Sequence, residues 1–221
     1  MKIINASYQI LTNVNWPDIL RQIEKIGRTC YKSEENITPE TSIKFVKNLI
    51  NCGHESVLEH QSVSVRVICD RGISHEVVRH RIASYSQEST RFCNYAKQNE
   101  LIFVKPCFFE NIKEGIYTFE SDDMNLTIGE SLWFDTMLLC ESRYLQLINN
   151  GLTPQEARSI LPNSLKTEIV MTMNLREWMH FFKLRAIEIS GKPHPQMLEL
   201  TIPMLKSFQK LIPIVFDDLV V

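Results

Sequence analysis

The chain has 221 residues, with 24 Lys and Arg against 26 Asp and Glu, for a formal net charge of −2. That balance excludes an overall basic field for nucleic acid or an anionic membrane, so any anion must be drawn by a local cluster. With 44% hydrophobic residues there is apolar material for one sizeable core or two small ones, yet no apolar run approaches the ~20 residues that span a bilayer.

The elements follow in chain order. Lys2–Ile10 reads as a strand, and a helix opens near Asn15, with Pro17 early and Ile19, Leu20, Ile23 and Ile26 at helical spacing. Thr38 and Pro39 start a second helix striped by Ile43, Val46 and Ile50 and stopped by Gly53. Gln61–Cys69 alternates, with Val63, Val65 and Val67 on one face, as in a strand with one wet side. Asp70-Arg71-Gly72 turns into a helix over Ile73–Ala83, and a loop-rich middle runs to Ser121. A long helix covers Leu126–Asn149 and ends at Asn149-Asn150-Gly151. Thr153-Pro154-Gln155-Glu156 opens a short one, broken at Pro162. Thr167–Met173 is a strand. Asn174 then caps a helix to Ile189, with Glu177 completing a box-like start, and a last helix begins near Gln196. Without repeats or a linker, residues 1–221 read as one α+β domain, a central and mainly antiparallel sheet flanked by helices.

Two arginines stand out. On a wheel of about 100° per residue, Arg81 falls between Val77 and Val78 on the apolar arc of its helix, and Arg185 continues the Trp178-Phe181-Phe182 stripe. Such an arginine must snorkel, pair with a buried anion or lie beyond the helix end. With Arg79, Arg91 and Arg158 they suit an enclosed phosphate ligand, because guanidinium forks match phosphate and planar acidic groups. A rival use of Arg66, Arg71, Arg79, Arg81 and Arg91 is an open patch of a nucleotide- or RNA-binding module. A third reading makes the arginines internal ion pairs of an oligomeric scaffold.

His54, Glu59, His60, His75 and His80 match no standard metal spacing, and the neighbouring arginines would repel a cation, so no metal is expected. Ser89 lacks a GxSxG elbow, and GxGxxG and GxxxxGK[ST] are both missing. The six cysteines (Cys30, Cys52, Cys69, Cys93, Cys107, Cys140) are scattered without a CxxC pair. They read as buried free thiols of a cytoplasmic protein whose start, MKIINASYQI, has no signal-peptide core.

Arg79-His80-Arg81, followed after seven residues by Ser89, resembles the RHRx7S signature of the flavin-dependent thymidylate synthases. Gly53-His54-Glu55-Ser56 with Glu59-His60, Ala157-Arg158, Asn174-Leu175-Arg176 and Phe182-Lys183-Leu184-Arg185 resemble further blocks of that family, in order. The resemblance implies a homotetramer with sites shared between subunits. It would bind FAD and convert dUMP to dTMP with NADPH and 5,10-methylenetetrahydrofolate, without a cysteine nucleophile. It implies FAD contacts from Ser56, Arg79, His80, Arg81, Gln87, Asn174, Arg176 and His180. For dUMP it implies Glu76, Arg79, Gln87, Glu88, Ser89, Thr90, Arg91, Arg158 and Arg185, with Arg185 the catalytic cation. Three departures stand in the sequence: Glu76 where glutamine is common, Ser86-Gln87-Glu88 for Asn-Glu-x, and an insertion before His194 and Gln196.

Overall fold

Alternating burial explains the two long strands. In the computed structural model, which describes residues 1–98, 100–121, 125–189 and 191–220, β3 (Ser62–Asp70) buries Val63, Val65, Val67 and Cys69. β7 (Lys166–Asn174) likewise buries Thr167, Ile169, Met171 and Met173. With β2 (Ser7–Ile10) and β4 (Ser84–Gln87) they form a four-stranded sheet in the order β2-β3-β7-β4. A second sheet has the order β5-β1-β6, with β1 (Lys2–Ile4) parallel to β5 (Ile102–Val104) and antiparallel to β6 (Gly115–Ile116). The α+β class therefore holds, but the described residues form two sheets rather than one, and the smaller contains a parallel pair. The expected Lys2–Ile10 strand is two strands, because β1 and β2 belong to different sheets.

Seven α-helices complete the described chain: α1 (Trp16–Thr29), α2 (Thr41–Asn51), α3 (Arg71–Val77), α4 (Ile128–Asn149), α5 (Pro154–Ala157), α6 (Leu175–Arg185) and α7 (Pro195–Leu211). Their starts are chemically marked. Asp70 caps α3 through the Ile73 amide at 2.7 Å. Thr127 with Glu130, and Thr153 with Glu156, close capping boxes on α4 and α5. α2 buries Val46 as expected, together with Ser42 and Leu49, whereas Ile43 is 56% exposed and Ile50 only half-buried, so at both ends the inner stripe runs through the preceding residue. The loop-rich middle holds β4, β5, β6 and a 3-10 turn at Tyr95–Gln98; its residue Asn99 lies outside the described residues.

The chain divides into two compact units of interleaved segments. The first comprises Met1–Ser7, Val67–Arg79 and Ser86–Ile169. Its core gathers Ile3, Leu101, Phe103, Ile112, Phe134, Met137, Leu138 and Tyr144 between the three-stranded sheet and α4. The second comprises Tyr8–Arg66, His80–Tyr85 and Val170–Val221. There Trp178 stacks on Phe182 at 5.6 Å and meets Phe208 at 4.7 Å, and its indole N–H donates to the Val63 carbonyl at 3.0 Å. That bond satisfies the one polar atom of a fully buried ring.

Candidate active site

The first unit carries a basic turn. Gln87 Nε2 donates to Ser74 Oγ at 2.9 Å and to Thr167 Oγ1 at 3.2 Å. Glu88 accepts from the Tyr95 hydroxyl at 2.7 Å and from Lys166 Nζ at 2.9 Å. These two side chains anchor the segment on which Ser89, Thr90 and Arg91 stand. Burial pushes the Lys166 ammonium down, but the carboxylates of Glu168 and Glu88 outweigh it and hold its pKa above the ordinary value. Burial and Glu88 together push the Tyr95 phenol up. Beyond the anchor, the Ser89 carbonyl accepts from the Phe92 and Cys93 amides, and Ser89 Oγ accepts from the Arg91 amide at 3.3 Å. Arg158 Nη1 donates to Thr90 Oγ1 at 3.3 Å. Hydroxyls and two exposed guanidinium groups thus converge on one turn, the chemistry a phosphate monoester requires.

The Arg79-His80-Arg81 triplet is split. α3 ends at Val77, not Ala83, and Val78 and Ile82 are 40% and 68% exposed. The apolar arc on which Arg81 stood therefore does not exist; Arg81 lies beyond the helix end and is exposed. Arg79 belongs to the first unit, His80 and Arg81 to the second. Glu76, half-buried, is the last residue but one of α3, and its carbonyl accepts from the Arg79 amide.

In the second unit His80 is 5% exposed. Arg185 Nε donates to His80 Nε2 at 3.2 Å, while His80 Nδ1 lies 3.4 Å from Glu177 Oε1. Burial, then the Arg185 and His180 charges, push the His80 pKa down to about 4, so the ring is neutral at pH 7. Burial pushes the Glu177 carboxyl up, partly opposed by His180. α6 ends at Arg185 rather than Ile189, and Glu188 turns the chain at φ 60. The stripe arginine thus sits on the last turn, where its Nε meets the neutral His80 ring.

Beside this cluster is a cavity of about 480 Å³ lined by Glu55, Glu59, Ile82, Asn174, Arg176, Glu177, Met179, His180 and Lys183. Asn174 Oδ1 accepts from the Glu177 amide at 2.8 Å and opens α6 onto it. Arg176 is held by Glu59 at 2.5 Å and Glu55 at 3.5 Å, and Ser56 lies on the same 3-10 turn as both. Glu55, Glu59 and Glu177 outnumber Arg176 and Lys183, three carboxylates to two cations. An anionic group entering here must therefore draw Arg176 from its glutamates. Glu177, Lys183, Met179, Ile82, Lys166, Tyr95, Ser74 and Thr167 line or support these positions without a motif that marks them for it. Contacts such as Gln87 to Thr167 or Arg185 to His80 span 80 and 105 positions, and no local pattern signals them.

Among the described residues, His80, Glu177 and His180 place ligand-type atoms within 4.8 Å of one another. The Arg185 guanidinium bonded to His80 makes that position unfavourable for a cation. The residues of the rival open patch are divided: Arg71, Arg79 and Arg91 belong to the first unit, Arg66 and Arg81 to the second. One guanidinium nitrogen of Arg71 is buried.

The family described as "Thymidylate synthase complementing protein" matches residues 11–214. A flavin-dependent thymidylate synthase of Pyrococcus furiosus is 35% identical over 188 residues, covering 84% of this chain and 70% of the relative. The chain belongs to the flavin-dependent thymidylate synthases. Two solved structures share the fold of this synthase. A UMP/dUMP methylase from Streptomyces cacaoi bound with 5-Br dUMP aligns with TM-score 0.77 and 19% identity, over 98% of this chain and 96% of that one. Thymidylate synthase X from Helicobacter pylori with FAD and dUMP aligns with TM-score 0.71 and 19% identity, over 96% and 99%.

Proposed function

We propose that the chain acts as one synthase domain over residues 1–221, converting dUMP to dTMP with FAD, with 5,10-methylenetetrahydrofolate as carbon donor and NADPH as reductant. The single observation that carries this reading is the turn at Ser89–Arg91, where Arg158 reaches Thr90, in a chain of this family. Ser89, Thr90, Arg91 and Arg158 hold the dUMP phosphate, with Glu76, Arg79, Gln87 and Glu88 around the nucleotide. Binding energy at the phosphate places the remote ring. Arg185 stabilises negative charge on the uracil as N3 loses its proton, which raises the nucleophilicity of C5. A preset guanidinium does so without reorganisation.

FAD fits the second-unit residues. Arg176 and Lys183 supply cations for a diphosphate, Ile82 and Met179 an apolar surface for a ring, and Asn174 the open helix start. Ser56, Arg79, His80, Arg81, Gln87 and His180 complete the set, with several subunits of a homotetramer contributing to each site. Bound flavin supplies the redox chemistry; the protein supplies placement and electrostatics. The enzyme works in the cytoplasm; among the described residues no helix is long and apolar enough to cross a membrane.

The test is direct. Purified protein absorbs in the flavin bands, or does so after FAD is added, the bands shift with dUMP, and tritium is released from 5-tritiated dUMP given NADPH and methylenetetrahydrofolate. A folded protein that takes up no FAD and releases no tritium would refute the proposal.

A further inference from the structure

We propose that Glu177 is a positioning residue, which acts through the ring of His80 to set the direction of the Arg185 guanidinium. The inference rests on the reading of Arg185 as the uracil-binding cation. Ring chemistry supplies the first argument. His80 Nε2 accepts from Arg185 Nε at 3.2 Å, so the single proton of a neutral imidazole sits on Nδ1, the atom 3.4 Å from Glu177 Oε1. A carboxylate there stabilises that tautomer and leaves the lone pair aimed at Arg185.

The second argument is a comparison within the molecule. α4, α5 and α6 all open with a capping residue and a glutamate three positions on. In α4 and α5 the glutamate reaches back and closes a box with Thr127 or Thr153. In α6 only half of that box forms: Asn174 accepts from the Glu177 amide, but the Glu177 carboxylate points to His80. It forgoes a local amide partner and is 8% exposed, a position a carboxylate holds only with compensating contacts.

The third argument is rigidity. Phe181 packs edge-on to the His80 ring at 4.9 Å and His180 at 5.9 Å. The Tyr85 hydroxyl donates to the His80 carbonyl at 2.8 Å. At the far end of the relay, Thr201 Oγ1 donates to the Arg185 carbonyl at 2.6 Å. Among the described residues, Arg185, His180 and Tyr85 face Glu177 and His80, with Lys183, Arg176, Glu55 and Glu59 lining the same cavity as Glu177; the Tyr85 phenol is pushed up to about 12 by burial and Glu177.

The experiment uses the FAD-loaded enzyme with Glu177→Leu, which removes the acceptor at similar size, and Glu177→Gln, which keeps an acceptor oxygen. The dUMP dissociation constant is read from the flavin absorbance change, and kcat and KM from tritium release. Glu177→Leu is expected to weaken dUMP binding by about 10- to 100-fold, the loss of one bond to a charged group, at unchanged flavin content. Glu177→Gln is expected to recover most of it. In parallel, ¹⁵N spectra of the wild-type histidines should show the His80 proton on Nδ1. Unaltered dUMP binding in folded, flavin-loaded Glu177→Leu would overturn the proposal, as would equal impairment of both variants or a proton on Nε2. Loss of activity on chelation with EDTA would also overturn it, in favour of a metal at His80, Glu177 and His180. If Glu177→Leu fails to fold, the wild-type tautomer decides. Arg185→Ala, measured alongside, separates the two ideas: if it keeps dUMP binding and turnover, the uracil role of Arg185 fails, while the tautomer still reports on the relay.

Discussion

At the scale of single residues, the proposed chemistry turns on two side chains that share a bond, Arg185 and His80. A guanidinium aimed at developing charge in a dry site is worth several kcal/mol of barrier. Arg185→Ala should therefore lower kcat/KM for tritium release by about 100- to 1000-fold while flavin absorbance is kept. Loss of flavin and fold together, with native turnover in the folded remainder, would make Arg185 a structural ion only. His80 predicts a pH effect. Its pKa is about 4 in the fold against an ordinary 6.5, so between these values the unfolded chain binds more protons. The ring's contribution to stability is complete above about pH 6.5 and disappears as pH falls toward 4. Glu177, whose carboxyl is raised, works in the opposite sense: its contribution is present at low pH and lost as pH rises through its folded value. Tm should fall from pH 6.5 to 4, and fall less in His80→Gln; equal slopes would show that the ring titrates freely. Cysteine reactivity divides in the same residue-by-residue way. Cys69 is buried and its thiol is pushed up to about 12 by burial and Asp70, whereas Cys30 and Cys52 are exposed. Native protein should label at Cys30 and Cys52 with a thiol reagent and spare Cys69 until unfolded. The expectation of uniformly buried thiols holds fully only for Cys69.

At the scale of elements, helix starts were legible where a capping residue precedes an apolar pattern. Asn15, Asn174 and the Thr153–Glu156 box all mark starts seen in the fold. Helix ends were less legible. Extending α3 to Ala83 treated Val78 and Ile82 as core residues, yet both face solvent, and the apparent misplacement of Arg81 followed from that extension alone. Glu130 tests the energetic weight of a start. Hydrogen bonds from Asn111 and Thr127 hold its carboxyl down at about 2. Its contribution is present above the ordinary carboxylate value of 4.5 and lost as pH falls toward 2. Thr127→Ala should cost about 1 kcal/mol, and Glu130→Gln should flatten the acid limb of the stability curve; a stability curve unchanged by both would show that α4 does not depend on this cap.

At the scale of the whole molecule, the turn proposed to hold the phosphate lies in the first unit and the cavity proposed to hold the flavin in the second. The proposed tetramer predicts complementation between defective chains. Arg91→Ala and Arg176→Ala proteins, each inactive alone, should regain part of the tritium-release activity when unfolded together and reassembled. Mixtures no more active than their components would place each site within one subunit.

The sequence by itself determined the α+β class, most helix starts, the alternating strands and the family, because caps, alternation and ordered motif blocks are written over a few neighbouring positions. It also marked Arg185 as out of place on an apolar stripe. Only the tertiary structure decided what that arginine meets, that β1 pairs in parallel with a strand about 100 positions away, and that Glu177 leaves its cap for His80. Those outcomes depend on contacts between residues far apart in the chain, where burial and hydrogen-bond satisfaction outweigh local preference.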